Sequence, residues 1–165
     1  MGDRFPTGGS RMSNGHQSFS IETYARRSAN YLNRMVDSDG LPYFNVFSTN
    51  PAEAAHDRPD FGDVMSRQLQ AAVMYRHMTG DRLPIEDVWY RKSLSMIDPE
   101  TGLLRRPKTD FSEPTANLGD ACLTLYAYVT AWLDNRDENL RQVILRMVDA
   151  AFVMGRGTGG TDCPW

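Results

Sequence analysis

An internal repeat constrains the fold of this 165-residue chain more than any other feature of its sequence. The segment RMVDSDGLPYF is echoed by SMIDPETGLLR, and DFGDVMSRQLQAAVMYRHMTGD is echoed by NLGDACLTLYAYVTAWLDNRD. The matching acids Asp63 and Asp120 lie 57 residues apart. Each copy therefore indicates a helix, a long loop that opens with D…GL, a Gly-Asp pair and a second helix.

Apolar residues recur at helical spacing in five segments, and no segment alternates with a period of two for long enough to predict a strand. The fold class is therefore predicted to be all-α, with repeated helical hairpins. The fourth segment, ACLTLYAYVTAWL, is apolar almost all round, which predicts burial on every side. The five helices are expected over residues 20–37, about 64–78, from near Pro84 through Met96, 121–133 and about 140–152.

Two links between these helices, residues 38–62 and 99–119, are long for a compact domain, which indicates either a functional loop or an unrecognised element within it. Within the first, the segment NPAE predicts a single helical turn capped by Asn50. Asp63 and Asp120 precede their helices in both copies, so both are predicted to be N-caps. Gly62 and Gly119, just before them, are expected to permit a tight approach of the backbone.

Composition excludes several classes of function. The net charge of −3 comes with no basic stripe, so nucleic acid is not an expected partner. No apolar run approaches the ~20 residues of a membrane span. Two cysteines and three scattered histidines predict neither a disulfide framework nor a metal site, and no cofactor motif is present. Residues 1–19 are polar and rich in Gly and Ser without a signal-peptide core, which predicts a disordered lead-in and favours the cytoplasm over secretion.

The hairpins with D…GL loops and alternating long and short links resemble the six-hairpin glycosidase superfamily. This resemblance implies an (α/α)6 toroid in which helices two and four are inner and helices one, three and five are outer. It covers residues 20–165, about two and a half hairpins of six, so it implies a partial toroid. We expect such a piece to be inactive alone and to self-associate through its unpaired flanks. The resemblance also implies that both long loops line a carbohydrate cleft.

Three carboxylates are candidates for catalysis in that cleft. Asp57 and Asp60 have no counterpart in the second copy of the repeat, and Glu113 lies in the second long loop. Glycoside hydrolysis needs two carboxyl groups that flank the scissile bond. The alternative is that these acids are solvated loop residues, with Asp57 beside Arg58 in a segment stiffened by Pro59.

Five further residues are candidates for substrate binding: His56, Tyr43, Phe44, Arg105 and Arg106. The imidazole can bind a sugar hydroxyl or serve as acid and base in a lyase, or it can be a satisfied loop histidine. The aromatic rings can stack on a sugar or plug the core. The arginine pair can bind the carboxylate of an acidic sugar, or be solvated.

These residues and the resemblance together predict a glycoside hydrolase that acts on an oligo- or polysaccharide. Two alternatives stay open. The same scaffold can carry a polysaccharide lyase, or the chain can be a non-catalytic helical-repeat module that binds a peptide or protein partner.

Overall fold

A computed structural model describes residues 20–43, 46–50, 52–57 and 60–157, so the predicted lead-in over residues 1–19 lies outside the described residues. The predicted all-α class is confirmed within these ranges. The five helices are α1 (Ile21–Leu32), α2 (Met65–Thr79), α3 (Glu86–Ser95), α4 (Leu118–Asn135) and α5 (Glu138–Gly157).

The first long loop contains a small antiparallel hairpin that the sequence did not predict. Its strands are β1 (Val46–Thr49) and β2 (Ala52–Ala54). The predicted helical turn in the NPAE segment is wrong, because Asn50 lies in the connection between the two strands. Asn and Pro favour a turn as readily as a helix start, and here the pairing of the flanking strands decides.

Helix ends follow the sequence in some places and depart from it in others. Ser20 caps α1 by accepting from Thr23 N at 3.3 Å, and Gly80 ends α2 in the left-handed region at φ 75°. The N-cap of α4 is Asn117, whose Oδ1 accepts from Asp120 N at 2.8 Å. Asp120 is therefore the third residue of α4, and its prediction as a cap is wrong.

Asp63 is also wrong as a predicted N-cap. It lies inside a π-helical turn, Asp60–Val64, that leads directly into α2, and its carboxylate pairs with Arg67 one turn later. Because the backbone is already helical at Asp63, the side chain does not occupy the capping position.

The centre of the molecule is the pair α2 and α4, with α1 and α3 packed on α2, and α5 packed on α4. The main cluster of buried side chains consists of Met65, Leu69, Trp89, Ala127, Tyr128, Leu140, Ile144 and Met147. The two central helices run in parallel, since Ser66 Oγ lies 3.0 Å from Thr124 Oγ1 and Arg76 pairs with Asp134 further along both helices. Their N-terminal ends, and the long loops before them, therefore lie at the same end of the molecule.

The expectation that α4 is buried on every side is wrong for one face. Tyr126 is 63% exposed, and Leu133 and Cys122 are exposed as well. Neighbouring helices cover the rest of α4, where Ala121, Thr124 and other residues are buried.

The two D…GL segments fold into turns with the same hydrogen bonds. Asp37 N donates to Leu41 O at 2.9 Å, and the equivalent bond in the second copy runs from Asp98 N to Leu103 O, also at 2.9 Å. Gly40 and Gly102 both adopt a left-handed backbone, with φ of 84° and 74°, which explains the glycine in each copy.

The aspartate side chain supports each turn in the same way. Asp37 Oδ1 accepts from Asp39 N and Leu41 N, both at 2.8 Å. Asp98 Oδ1 accepts from Thr101 N at 3.0 Å and Glu100 N at 2.9 Å, and these backbone bonds lower the pKa of Asp98. The repeat seen in the sequence therefore has a repeated local structure behind it.

The first turn packs on α3, and the second turn packs on α5. A Cβ on Gly40 would lie 2.7 Å from Val88 Cγ1 of α3, and one on Gly102 would lie 3.2 Å from Arg146 O of α5. The first turn is also held by Trp89, whose Nε1 donates to Gly40 O at 2.9 Å. These contacts fix the start of each long loop.

Candidate functional site

His56 lies at the centre of a polar cluster in the first long loop. Its Nε2 is 3.0 Å from Asp37 Oδ2, and its Nδ1 is 2.9 Å from Asp60 Oδ2. The ring of Tyr43 stacks on the imidazole with centroids 4.4 Å apart and an interplanar angle of 8°. The cluster therefore joins the D…GL turn, the middle of the loop and the π-helical turn that precedes α2.

The geometry limits what His56 can do. A ring with both protons donates to both carboxylates, whereas a neutral ring has one N–H and donates to only one. Both nitrogens lie against protein carboxylates, so proton exchange with a substrate requires one of those contacts to break. In the geometry observed here, His56 holds the loop together.

Asp60 is 1% exposed and is the most deeply buried of the predicted carboxylates. Besides His56, its Oδ2 accepts from Asp57 N at 3.1 Å, and Asp60 N donates to Asp57 O at 3.0 Å. These reciprocal bonds fix the backbone of Asp57, which is half-buried. Of these two acids Asp57 is therefore the one closer to solvent, and Asp60 holds its backbone.

A second cluster lies at the start of α4. Arg106 binds the carboxylate of Asp120 with two donors, one of them Nη2 at 2.7 Å from Oδ1, and both side chains are largely buried. Asn117 Nδ2 donates to Asp120 Oδ2 at 3.1 Å, and Arg106 N donates to Thr115 O at 2.8 Å. The guanidinium that the sequence assigned to a substrate carboxylate therefore binds a carboxylate of the protein.

Gly62 connects the two clusters. A Cβ at this position would lie 2.1 Å from Asp120 Cγ and 2.2 Å from Asp120 Oδ1. Only a residue without a side chain allows the π-helical turn to approach the Arg106–Asp120 pair this closely. The expected tight approach at Gly62 is confirmed, and it brings both long loops to one end of the α2–α4 pair.

The other predicted site residues lie on the surface or outside the described residues. Glu113 is 75% exposed, and Lys108 Nζ donates to its Oε1 at 2.9 Å. Arg105 is exposed, with Nη1 3.6 Å from Asp98 Oδ2. Phe44 lies outside the described residues. The structure thus brings Tyr43, His56, Asp57 and Asp60 together and places Glu113 and Arg105 on the second loop.

Sequence reasoning missed Asp37, whose second carboxylate oxygen binds His56. The sequence carried a signal, because an acid occupies this position in both D…GL segments, as Asp37 and Asp98, but the turn accounts for only the Oδ1 atom of Asp37. Its counterpart Asp98 directs the other oxygen toward Arg105 instead. The two copies therefore share the backbone turn, but the aspartate binds His56 in the first copy and lies near Arg105 in the second.

Searches for other kinds of site give two further findings. Among the described residues, no group of three or more His, Cys, Asp or Glu side chains could hold a metal ion. Over those same ranges, every helix is too short or too polar to cross a membrane.

Comparison with known proteins adds no assignment, since no family model, curated protein or solved structure matches this chain.

Proposed function

We propose that the chain is part of a glycoside hydrolase and that its two long loops form one side of a carbohydrate-binding cleft. The observation that carries the proposal is the meeting of the loops at Gly62, at one end of two parallel helices. Loops held on a rigid scaffold are the usual place for binding and catalytic groups. The resemblance to the six-hairpin glycosidases adds the substrate class.

In this proposal Asp57 and Glu113 are the carboxyl pair, one from each loop. Glycoside hydrolysis requires an acid and a base or nucleophile on either side of the bond, so both groups must be accessible to the substrate. Glu113 is 75% exposed, and Asp57 is more accessible than the buried Asp60. Asp60, buried beneath Asp57, positions it by accepting its backbone N–H.

Accessibility to the substrate also assigns the residues that would bind the sugar. Tyr43 covers His56 with one ring face, and we assign the other face to stacking on a sugar. Arg106 is bound to Asp120, so recognition of an acidic sugar falls to Arg105, which is exposed on the second loop. His56 keeps Tyr43 and Asp60 in place.

Sugar binding by the chain is the first test. Soluble oligosaccharides, neutral and acidic, are titrated into the protein while backbone amide NMR signals are recorded. We expect shifts at residues 54–57 and 105–116, and a loss of binding of at least tenfold in Tyr43→Ala. The absence of any shift across the set of sugars would contradict the proposal.

Hydrolysis is the second test, in the longest form of the protein that turns over a glycan. Asp57→Asn and Glu113→Gln are each expected to lower kcat by about 10²–10⁴, the usual contribution of general acid–base catalysis. Asp110→Asn, an exposed acid of the second loop, is the matched control and should stay within twofold. If the protein binds sugar but neither substitution lowers kcat, Asp57 and Glu113 are not the catalytic pair, and the chain acts as a sugar-binding module.

The product separates the hydrolase from the lyase on the same scaffold. A lyase forms a carbon–carbon double bond that absorbs in the ultraviolet, whereas a hydrolase adds water and gives a new reducing end. We expect reducing ends to appear without the ultraviolet signal.

A non-catalytic interaction module is the second candidate, and the exposed apolar face of α4 favours it. In that case substitutions of the loop acids leave partner binding unchanged, and substitutions on α4 remove it.

A further inference from the structure

The exposed face of α4 carries a continuous apolar band. Cys122, Tyr126 and Leu133 recur at helical spacing on this face, and all three are exposed. A surface groove of about 470 Å³ also lies between α4 and α5, lined by Leu125 of α4 and by Phe152 of α5, which is exposed. Patches of this kind on a helical domain mark an interaction surface.

The internal repeat indicates what kind of surface covers this band. In the register that aligns Asp63 with Asp120, Met65 and Leu69 of α2 correspond to Cys122 and Tyr126 of α4. Met65 and Leu69 are buried in the cluster that includes Ala127 and Tyr128 of α4. The α4 band is therefore the equivalent of the α2 face that packs on α4, and no helix within the described ranges packs on it in parallel as α4 packs on α2.

The opposite edge of the molecule carries the matching surface. Arg67, Met74 and Met78 lie on an exposed side of α2, and Met74 is 56% exposed. In the same register, Arg67 and Met74 correspond to Thr124 and Ala131, on the side of α4 that faces α2. This edge of α2 is thus equivalent to the side of α4 that packs on α2, and it is the kind of surface that would pack on the α4 band.

We propose that a second copy of this chain docks its Arg67–Met74–Met78 edge against the Cys122–Tyr126–Leu133 band of the first. The contact repeats the intramolecular α2–α4 packing between molecules, so Leu123 of one copy lies beside Arg67 of the next, as Ser66 lies beside Thr124 within one chain. Because the two surfaces differ, the contact is head-to-tail and leaves one free surface at each end of a dimer. It does not depend on the proposed hydrolase activity.

Sedimentation over a range of protein concentrations tests the assembly. We expect reversible association beyond the dimer, weakened at least tenfold by Tyr126→Arg or by Met74→Arg. Val153→Arg is the matched control, since Val153 is 73% exposed and apolar but lies in a different groove, between α5 and the second turn. All three residues are exposed, so thermal melts should show folded variants.

Mixing the two interface variants separates the head-to-tail contact from a symmetric one. The Tyr126→Arg chain keeps an intact α2 edge and the Met74→Arg chain keeps an intact α4 band, so the mixture should form a one-to-one dimer that cannot extend. A symmetric contact of α4 on α4 would be insensitive to Met74→Arg. That insensitivity, or a monomer at every concentration, overturns the proposal.

Cross-linking checks the register. With Cys122 and Cys163 replaced by Ser, a Leu123→Cys chain and an Arg67→Cys chain should form a disulfide with each other under oxidising conditions. Neither should cross-link with itself. Self-cross-linking of the Leu123→Cys chain would overturn the head-to-tail arrangement.

Discussion

At the scale of single residues, Gly62 is the position where a small change should have the largest effect. A methyl group there would overlap Asp120 Cγ at 2.1 Å, and Asp120 cannot move without loosening its bonds to Arg106 and Asn117. Overpacking combined with disturbance of a buried ion pair leads us to expect Gly62→Ala to lower the free energy of unfolding by about 2–4 kcal/mol. Urea denaturation measures the loss.

Gly155→Ala is the control for this prediction. Gly155 lies within α5, and a Cβ there would meet nothing within 4 Å, so alanine should leave stability unchanged or raise it by up to about 1 kcal/mol. Equal midpoints for the two variants would mean that the approach of Gly62 to Asp120 is unimportant. The sequence predicted a tight approach at Gly62, but Asp120 as its partner could not be predicted, since the contact depends on how α2 and α4 pack.

At the scale of elements, Trp89 attaches the first D…GL turn to α3. Its indole is fully buried and donates to Gly40 O, so Trp89→Phe leaves a buried carbonyl without this donor and opens a small void. We expect a loss of about 2–4 kcal/mol in unfolding free energy and faster hydrogen exchange at Gly40 N and Leu41 N. The second turn is the internal control. Its Gly102 amide should exchange faster only by the factor that the overall loss of stability causes, whereas the amides of the first turn should exchange faster still. Equal acceleration in both turns would contradict a local role for Trp89.

The elements show why some of the fold could be predicted and some could not. Helices and the repeat follow from apolar spacing and from the glycine that each D…GL turn requires, and both are local properties. The N-cap of α4 at Asn117 was missed, because the aspartate of the Gly-Asp pair, three residues later, matched a capping pattern equally well. Within the candidate site, His56 and Asp60 stood out since only one copy has them. The Asp37–His56 contact joins residues 19 positions apart, across a hairpin that the sequence did not predict.

At the scale of the whole molecule, a charged network at the end of the helices opposite the candidate site links three elements. Arg76 of α2 binds Glu86 of α3 at 2.9 Å and also binds Asp134 of α4, which contacts His77 at 2.7 Å. The hydrogen bond from Arg76 is the main reason that the pKa of Asp134 lies below its ordinary value of 3.8. Loops and candidate site occupy one end of the α2–α4 pair, and this network fixes the other.

The lowered pKa of Asp134 gives the network a defined pH dependence. A carboxyl group whose pKa is lower in the folded than in the unfolded state adds stability above its unfolded pKa, and this stability disappears as the pH falls through the folded pKa. We expect Asp134→Asn to reduce the free energy of unfolding at pH 7 by about 1–3 kcal/mol, the usual range for a hydrogen bond to a charged group. The difference from the unaltered protein should shrink as the pH falls below about 4, the ordinary pKa of an unfolded aspartate, and through the lower pKa of folded Asp134. Urea denaturation between pH 7 and pH 2.5 measures it, with Asp149→Asn on the exposed side of α5 as the control. A difference that stays constant over this range would show that the charge on Asp134 does not stabilise the fold.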